Sequence, residues 1–244
     1  MIRADKRGPL AELVRLYAER KVRAAFRGVW LRGTLPPAGQ SVLLYANHTS
    51  FWDGFALHIL CRAAGLDGYC MMEERNLVRY RFLRRLGAFS VRRGEGHSAL
   101  ASLRYASTLL ARPGTAVILF PEGELRPWSG RLHPLERGLA VLARRAKVPC
   151  VPVGIRYRFF EHELPDLLLA VGPPHPPLGL EGFEARLRAA VAELSDDRAL
   201  KDYVLLAHGR RSVMERWDAA RRLLLSRRGR RSPRSGRPDR RTAR

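Results

Sequence analysis

From residue 42 onward the chain alternates between short apolar runs and longer stretches of amphipathic spacing. The apolar runs 42–46, 68–72, 88–92, 116–120, 150–156 and 167–171 are bounded by glycine, proline or charge, and predict strands. Helical spacing fills 53–64, 78–86, 97–111, 136–147, 182–194 and 199–225. Strands alternating with helices of ten or more residues predict a single α/β domain, with a mixed, largely parallel β-sheet flanked by helices. No internal repeat stands out.

Ahead of this body, residues 9–30 read as one amphipathic helix. Leu10, Leu13, Val14, Tyr17, Ala18, Val22, Ala25, Phe26, Val29 and Trp30 fall near helical spacing, and Arg15, Arg20, Lys21, Arg23 and Arg27 take much of the remainder. Two readings fit: a helix packed on the core, or an interfacial helix with cationic flanks and aromatic anchors. The organisation expected is an amphipathic surface helix over 1–32, a catalytic body over 33–225, and a disordered tail over 226–244. That tail has nine arginines against one acid, Asp239, and no apolar anchor beyond Ala243.

Charge adds a partner class. The chain of 244 residues carries a formal net charge of +22, which favours an anionic partner such as a membrane surface, nucleic acid or a phosphorylated substrate. Only Lys6, Lys21, Lys147 and Lys201 among the 45 basic residues are lysines, so codon composition is an alternative source of the excess. Cys61, Cys70 and Cys150 are an odd, widely spaced set among apolar neighbours, which predicts buried free thiols. The histidines show no metal-binding spacing. The first twenty residues have no apolar core segment of a secretory signal. The longest apolar stretch, residues 41–61, is broken by His48, Asp53 and His58, so no membrane span is expected.

Four short stretches carry candidate chemistry. In "NHTSFWD", His48 lies just past a strand, where α/β folds place their ligands, and Asp53 falls in the first turn of the next helix. A carboxylate there is favoured by the helix dipole. It can hold one imidazole tautomer and leave the other nitrogen as a base. A pair that merely stabilises a loop is the plainer alternative. No G-x-S-x-G elbow supplies a nucleophile, so the hydroxyl to be activated belongs to the substrate. In "GAFSVRR", Arg92 and Arg93 end a strand, where paired guanidinium groups grip phosphate. In "FPEGELR", Pro121 stops a strand, Gly123 permits close backbone approach, and Glu122 and Arg126 become polar groups at the same sheet edge. In "VPCVPVGI", Pro149 and Pro152 bracket a strand and suggest an edge or bulge at a pocket wall.

Taken in order, these stretches resemble the four blocks of the glycerolipid acyltransferases typified by 1-acylglycerol-3-phosphate acyltransferase. "NHTSFWD" is similar to the NHx4D motif, and the arginine of the second block falls on Arg93. The resemblance covers about Val42 to Tyr157. It implies a glycerol-3-phosphate acyltransferase-like fold and transfer of a fatty acyl group from an acyl-CoA or acyl-carrier-protein thioester to a lipid hydroxyl, with no metal or cofactor. It implies His48 as general base and Asp53 as its orienting partner. Arg93, Glu122, Gly123 and Arg126 fall to acceptor binding, and Pro152 to the acyl-side pocket. The implied acceptor is 1-acylglycerol-3-phosphate, in phospholipid biosynthesis. The implied place is the cytoplasmic face of a membrane, peripheral or monotopic, against an anionic surface.

The third block departs from the pattern. Glu124 stands where the family has threonine, and Arg126 comes one position late. Negative charge beside an expected phosphate makes a lipid without phosphate, such as a glycolipid or a carotenoid glycoside, the alternative acceptor. Two further classes match parts of the chain. "GEGHSA" loosely matches a dinucleotide fingerprint, but Glu122 lies 28 residues beyond Gly94, against about 20 in that motif. A basic nucleic-acid-binding protein is the other class. The tail lacks interleaved aromatics for base stacking, so no specific nucleic acid is expected.

Overall fold

The computed structural model describes residues 1–194 and 200–229. Eight strands among them form one sheet: β1 (Gly28–Gly33), β2 (Val42–Ala46), β3 (Asp67–Glu73), β4 (Ala88–Val91), β5 (Thr115–Leu119), β6 (Cys150–Arg158), β7 (Asp166–Val171) and β8 (Val204–His208). Their spatial order is β4-β3-β5-β2-β6-β7-β1-β8. The five strands from β4 to β6 are mutually parallel. β7 turns antiparallel against β6, β1 runs parallel to β7, and β8 closes the row antiparallel to β1. The sheet is therefore mixed, with helices on both faces.

Period-two alternation divides the core. Val42, Leu44 and Ala46 of β2 share one apolar cluster with helices α1 (Pro9–Ala25) and α2 (Asp53–Ala63). Leu43 and Tyr45 join the opposite cluster with α4 (Gly96–Leu110), α5 (Gly138–Ala146) and α6 (Leu180–Ala192). Every residue of β2 is buried, as a parallel strand covered on both faces requires. Gly154 in β6 allows α6 to come close, since a Cβ there would stand 2.5 Å from the carbonyl oxygen of Ala190.

Three expectations need correction. The helix expected over 9–30 stops at Ala25, and Gly28–Gly33 is a strand inside the sheet. Short apolar runs fit both periods, and here a distant partner decides: Asp166, fully buried, accepts bonds from the Trp30 indole at 2.6 Å and from Arg27 Nε at 2.9 Å. The helix expected over 199–225 is interrupted in the same way. Val204–His208 pairs with β1, and Gly209 follows because a Cβ there would overlap the Phe26 carbonyl. Pro152 does not mark an edge. It lies within β6 opposite Tyr45 of β2, with its ring over Gly172.

A short helix α3 (Glu74–Arg79) and a 3-10 turn (Arg81–Leu86) lie between β3 and β4. Residues from Arg211 on form a separate unit, described to Gly229. Its helix α7 (Val213–Gly229) starts with a reciprocal capping box: the Glu215 N–H donates to Ser212 Oγ at 3.0 Å, and the Ser212 N–H donates to Glu215 Oε2 at 2.9 Å. Of the basic tail expected over 226–244, residues 230–244 lie outside the described residues.

Asn47 sits fully buried just past β2 and works as a piece of backbone. Its amide donates to the Ile155 carbonyl at 3.0 Å and accepts from the Ile155 N–H at 2.8 Å. Asn47→Ala strands two buried backbone groups. Chemical denaturation should show a loss of about 2–6 kcal/mol, since each orphaned group costs about 1–3.

Candidate active site

β2 and β5 end side by side, and the loops leaving them meet. The N–H groups of Thr49 and Ser50 donate to Asp53 Oδ2 at 2.7 and 2.8 Å, which coils the chain between β2 and α2 into a tight turn. The same oxygen lies 2.8 Å from His48 Nδ1. The other, Oδ1, accepts the Tyr157 hydroxyl at 2.5 Å. Asp53 has 0% exposure, so these bonds replace its water. Burial, then the neighbouring carboxylate, pushes the Tyr157 hydroxyl far above its ordinary value, which keeps it a donor.

The His48 ring stacks on Phe120, with centroids 4.2 Å apart and planes 18° from parallel. Asp53 on one side and Phe120 on the other leave the ring a single orientation. Nδ1 carries the proton that faces Asp53, so Nε2 is the nitrogen with an open lone pair. The approach of Asp53 to the His48 ring is as the spacing predicts. Tyr157 and Phe120 were missed. Phe120 lay within the quoted third block, whereas nothing in "GIRYR" distinguishes Tyr157 from its neighbours.

Glu122 is tied differently from the expectation. Its Oε1 accepts the His48 N–H at 2.9 Å and its Oε2 accepts the His133 N–H at 3.0 Å, and the residue is buried. The Arg126 N–H donates to the His48 carbonyl at 3.0 Å. Glu122 therefore clamps the two strand-end loops together, with both oxygens occupied by backbone. Gly123 follows with φ 73°, a left-handed conformation that suits glycine. Arg93 reaches Glu124 at 2.9 Å and Glu136 at 3.4 Å, and Arg126 reaches the other oxygen of Glu124 at 3.0 Å. Hydrogen bonds from Arg93 and then Arg126 hold the Glu124 carboxyl below its ordinary range.

His48, Arg93, Gly123 and Glu124 line one cavity of about 870 Å³. Phe51, Phe55, Cys70, Met72, Leu83 and Leu103 line it as well, an apolar lining able to receive a hydrocarbon chain. Pro152 and Arg126 are not among its lining residues. Among the described residues no group of His, Cys, Asp and Glu side chains converges as a metal site.

An α/β sheet with a His–Asp pair at the tip of a central strand and an apolar cavity beside it invites comparison. The family model for "Acyltransferase" matches residues 28–156, more than half of the chain. The chain belongs to this acyltransferase family. Among solved structures it is similar to PlsC, the 1-acyl-sn-glycerophosphate (LPA) acyltransferase of Thermotoga maritima. The TM-score is 0.57, identity is 19%, and the match covers 78% of this chain and 81% of that one. At that identity the likeness is one of fold. No curated protein matches the chain. The acyltransferase is thus an enzyme whose matched region carries β1 to β5, most of β6 and all four quoted blocks.

One polar group lies apart from the dyad. His58 on α2 lines the cavity, and its Nε2 is buried with no hydrogen-bond partner. Burial and the nearby Lys6 lower its pKa from 6.5 to about 4, so the fold holds it neutral. The unfolded chain binds the proton first, so stability present above pH 6.5 is lost as pH falls toward 4. Urea unfolding of the native chain and of His58→Leu should diverge in this window. The native chain should lose about 2 kcal/mol more between pH 7 and pH 5.

Proposed function

We propose that this acyltransferase moves a fatty acyl group from a coenzyme A or acyl-carrier-protein thioester to the hydroxyl of a membrane lipid, with His48 as the base. The observation that carries this reading is the fixed His48–Asp53 pair at the wall of a large apolar cavity. The acceptor hydroxyl approaches Nε2 and gives up its proton as its oxygen attacks the thioester carbonyl carbon. The tetrahedral intermediate collapses with cleavage of the C–S bond, and the proton held on Nε2 passes to the departing sulfur. Asp53 stabilises the imidazolium in between, and the acyl chain lies in the cavity. A thioester is already activated, so a positioned base and alignment supply what the reaction needs.

The acceptor falls into two classes. One is 1-acylglycerol-3-phosphate, which the resemblance implies. The other is a lipid hydroxyl beside an uncharged headgroup. Gly123 and Arg93, at the cavity wall, are placed to meet either headgroup, with Arg126 behind them through Glu124. Glu122 serves the same site by holding the loops that carry His48 and Gly123.

We place the enzyme on the surface of an anionic membrane, at its cytoplasmic face. No described helix is long and apolar enough to cross a membrane. Support comes from α1, where Leu10, Leu13, Leu16 and Tyr17 are exposed although apolar or aromatic, with Leu13 at 62%. Arg20, Lys21 and Arg23 follow on the same helix. Apolar side chains beside cations suit a headgroup boundary.

His48→Ala should lower acylation of a lipid panel by about 10²–10⁴-fold with an unchanged melting temperature, because a general base contributes that much. A variant as active as the native enzyme sinks the mechanism. Leu13→Glu with Leu16→Glu should weaken sedimentation with vesicles containing phosphatidylglycerol by about tenfold or more, since two buried apolar side chains are worth a few kcal/mol. Unchanged sedimentation would remove α1 from the membrane contact.

A further inference from the structure

The chain as a whole is strongly basic, yet the mouth of its cavity is not. Three arginines line the cavity, Arg75, Arg92 and Arg93, and three glutamates line it with them, Glu73, Glu124 and Glu136. Each of these arginines is paired. Arg75 meets Glu73 at 2.9 Å, Arg92 meets Glu74 at 2.5 Å, and Arg93 meets Glu124 and Glu136. Arg126, the remaining cation of the third block, is also held by Glu124.

The pairing around Glu124 is built into the backbone. Gly123 has no side chain, and a Cβ there would stand 3.2 Å from Arg93 Nη2 and from Glu136 Cγ. The glycine thus lets Arg93 and Glu136 close over the loop. Glu124 spans the gap between two guanidinium groups with one oxygen on each, the arrangement a bound anion would adopt. Its carboxylate belongs to the chain and cannot leave.

We propose that Glu124 is a permanent counter-anion for Arg93 and Arg126, and that it selects an acceptor whose hydroxyl stands beside an uncharged headgroup, glycerol or sugar, over one bearing a phosphate monoester. The proposal rests on the acyl-transfer reading above. A phosphate monoester brought to Arg93 either displaces Glu124 or takes the remaining donors, and in both cases it stands beside Glu124 and Glu136, two carboxylates already paired with that guanidinium. Such like-charge crowding rejects a ligand without touching the preferred one. An uncharged headgroup meets no such penalty. A guanidinium has five N–H donors, so Arg93 keeps donors for glycerol or sugar oxygens while its charge is balanced.

The test uses two acceptors that differ only in the phosphate, 1-monoacylglycerol and 1-acylglycerol-3-phosphate, with palmitoyl-CoA and palmitoyl-acyl carrier protein as donors. The full chain and Glu124→Gln, an isosteric change at an exposed position, are compared by kcat/KM. The native enzyme should favour the monoacylglycerol. In Glu124→Gln the ratio should move at least about tenfold toward the phosphate-bearing acceptor. A native preference for 1-acylglycerol-3-phosphate, or a ratio unchanged by the substitution, overturns the proposal.

A second arm separates this inference from the reading beneath it. Binding of 1-acylglycerol-3-phosphate is measured by calorimetry on His48→Ala and on His48→Ala with Glu124→Gln, where no turnover is needed. The double variant should bind about tenfold more tightly, and equal affinities overturn the proposal. Tighter binding with no transfer to either acceptor by the native chain sinks the acyl-transfer reading and leaves the charge selection standing.

Discussion

Asp53 places a carboxylate where water does not reach, and it is held there by the Thr49 and Ser50 N–H groups, His48 and Tyr157. Each bond fixes something different. The backbone bonds shape the turn between β2 and α2, the imidazole bond sets the ring and its tautomer, and the tyrosine bond reaches across to β6. A buried carboxylate is costly unless it is fully paired. The pairing that lowers this cost is the same set of contacts that orients His48. Fold and chemistry are thereby coupled through one side chain, and neither can be altered there without the other.

The loops around it form a second layer of the same design. Glu122 joins the loop after β2 to the loop after β5 through backbone N–H groups alone. Asn47 joins the end of β2 to β6 by imitating a peptide group. Both side chains stand within two residues of His48 or of Phe120, on which its ring stacks. The polar residues of the quoted blocks therefore divide into those that face the cavity and those that hold the facing ones in place.

Much of this was legible in the residues, and the failures have local causes. The central strands were readable because buried parallel strands are continuous apolar runs bounded by breakers. His48 and Asp53 were readable because five positions across a strand-to-helix turn bring two side chains together. β1 and β8 were not, since "GVWLRG" and "VLLAH" fit a helical face as well as a pleat, and what decides is pairing with distant chain. Pro152 misled for a similar reason: a proline reads as an edge, but in β6 its ring found a place over Gly172. Glu122 read as a ligand contact because a sequence does not show which oxygen is already taken. Tyr157 carries no signal in its neighbourhood, as its partner is 104 positions away.

The position of β2 has a consequence for how the enzyme fails. It is flanked by β5 and β6, covered on both faces, and followed by Asn47 and then His48. Strands of this kind open only with the whole molecule, whereas frayed ends and surface loops open at little cost. His48 is thus anchored beside the least exchangeable part of the chain. Fraying at the periphery leaves β2 and the buried Asn47 that follows it in place. Because His48 leaves the end of β2 and Asp53 opens α2, the pair exists only while that helix stays packed against the sheet.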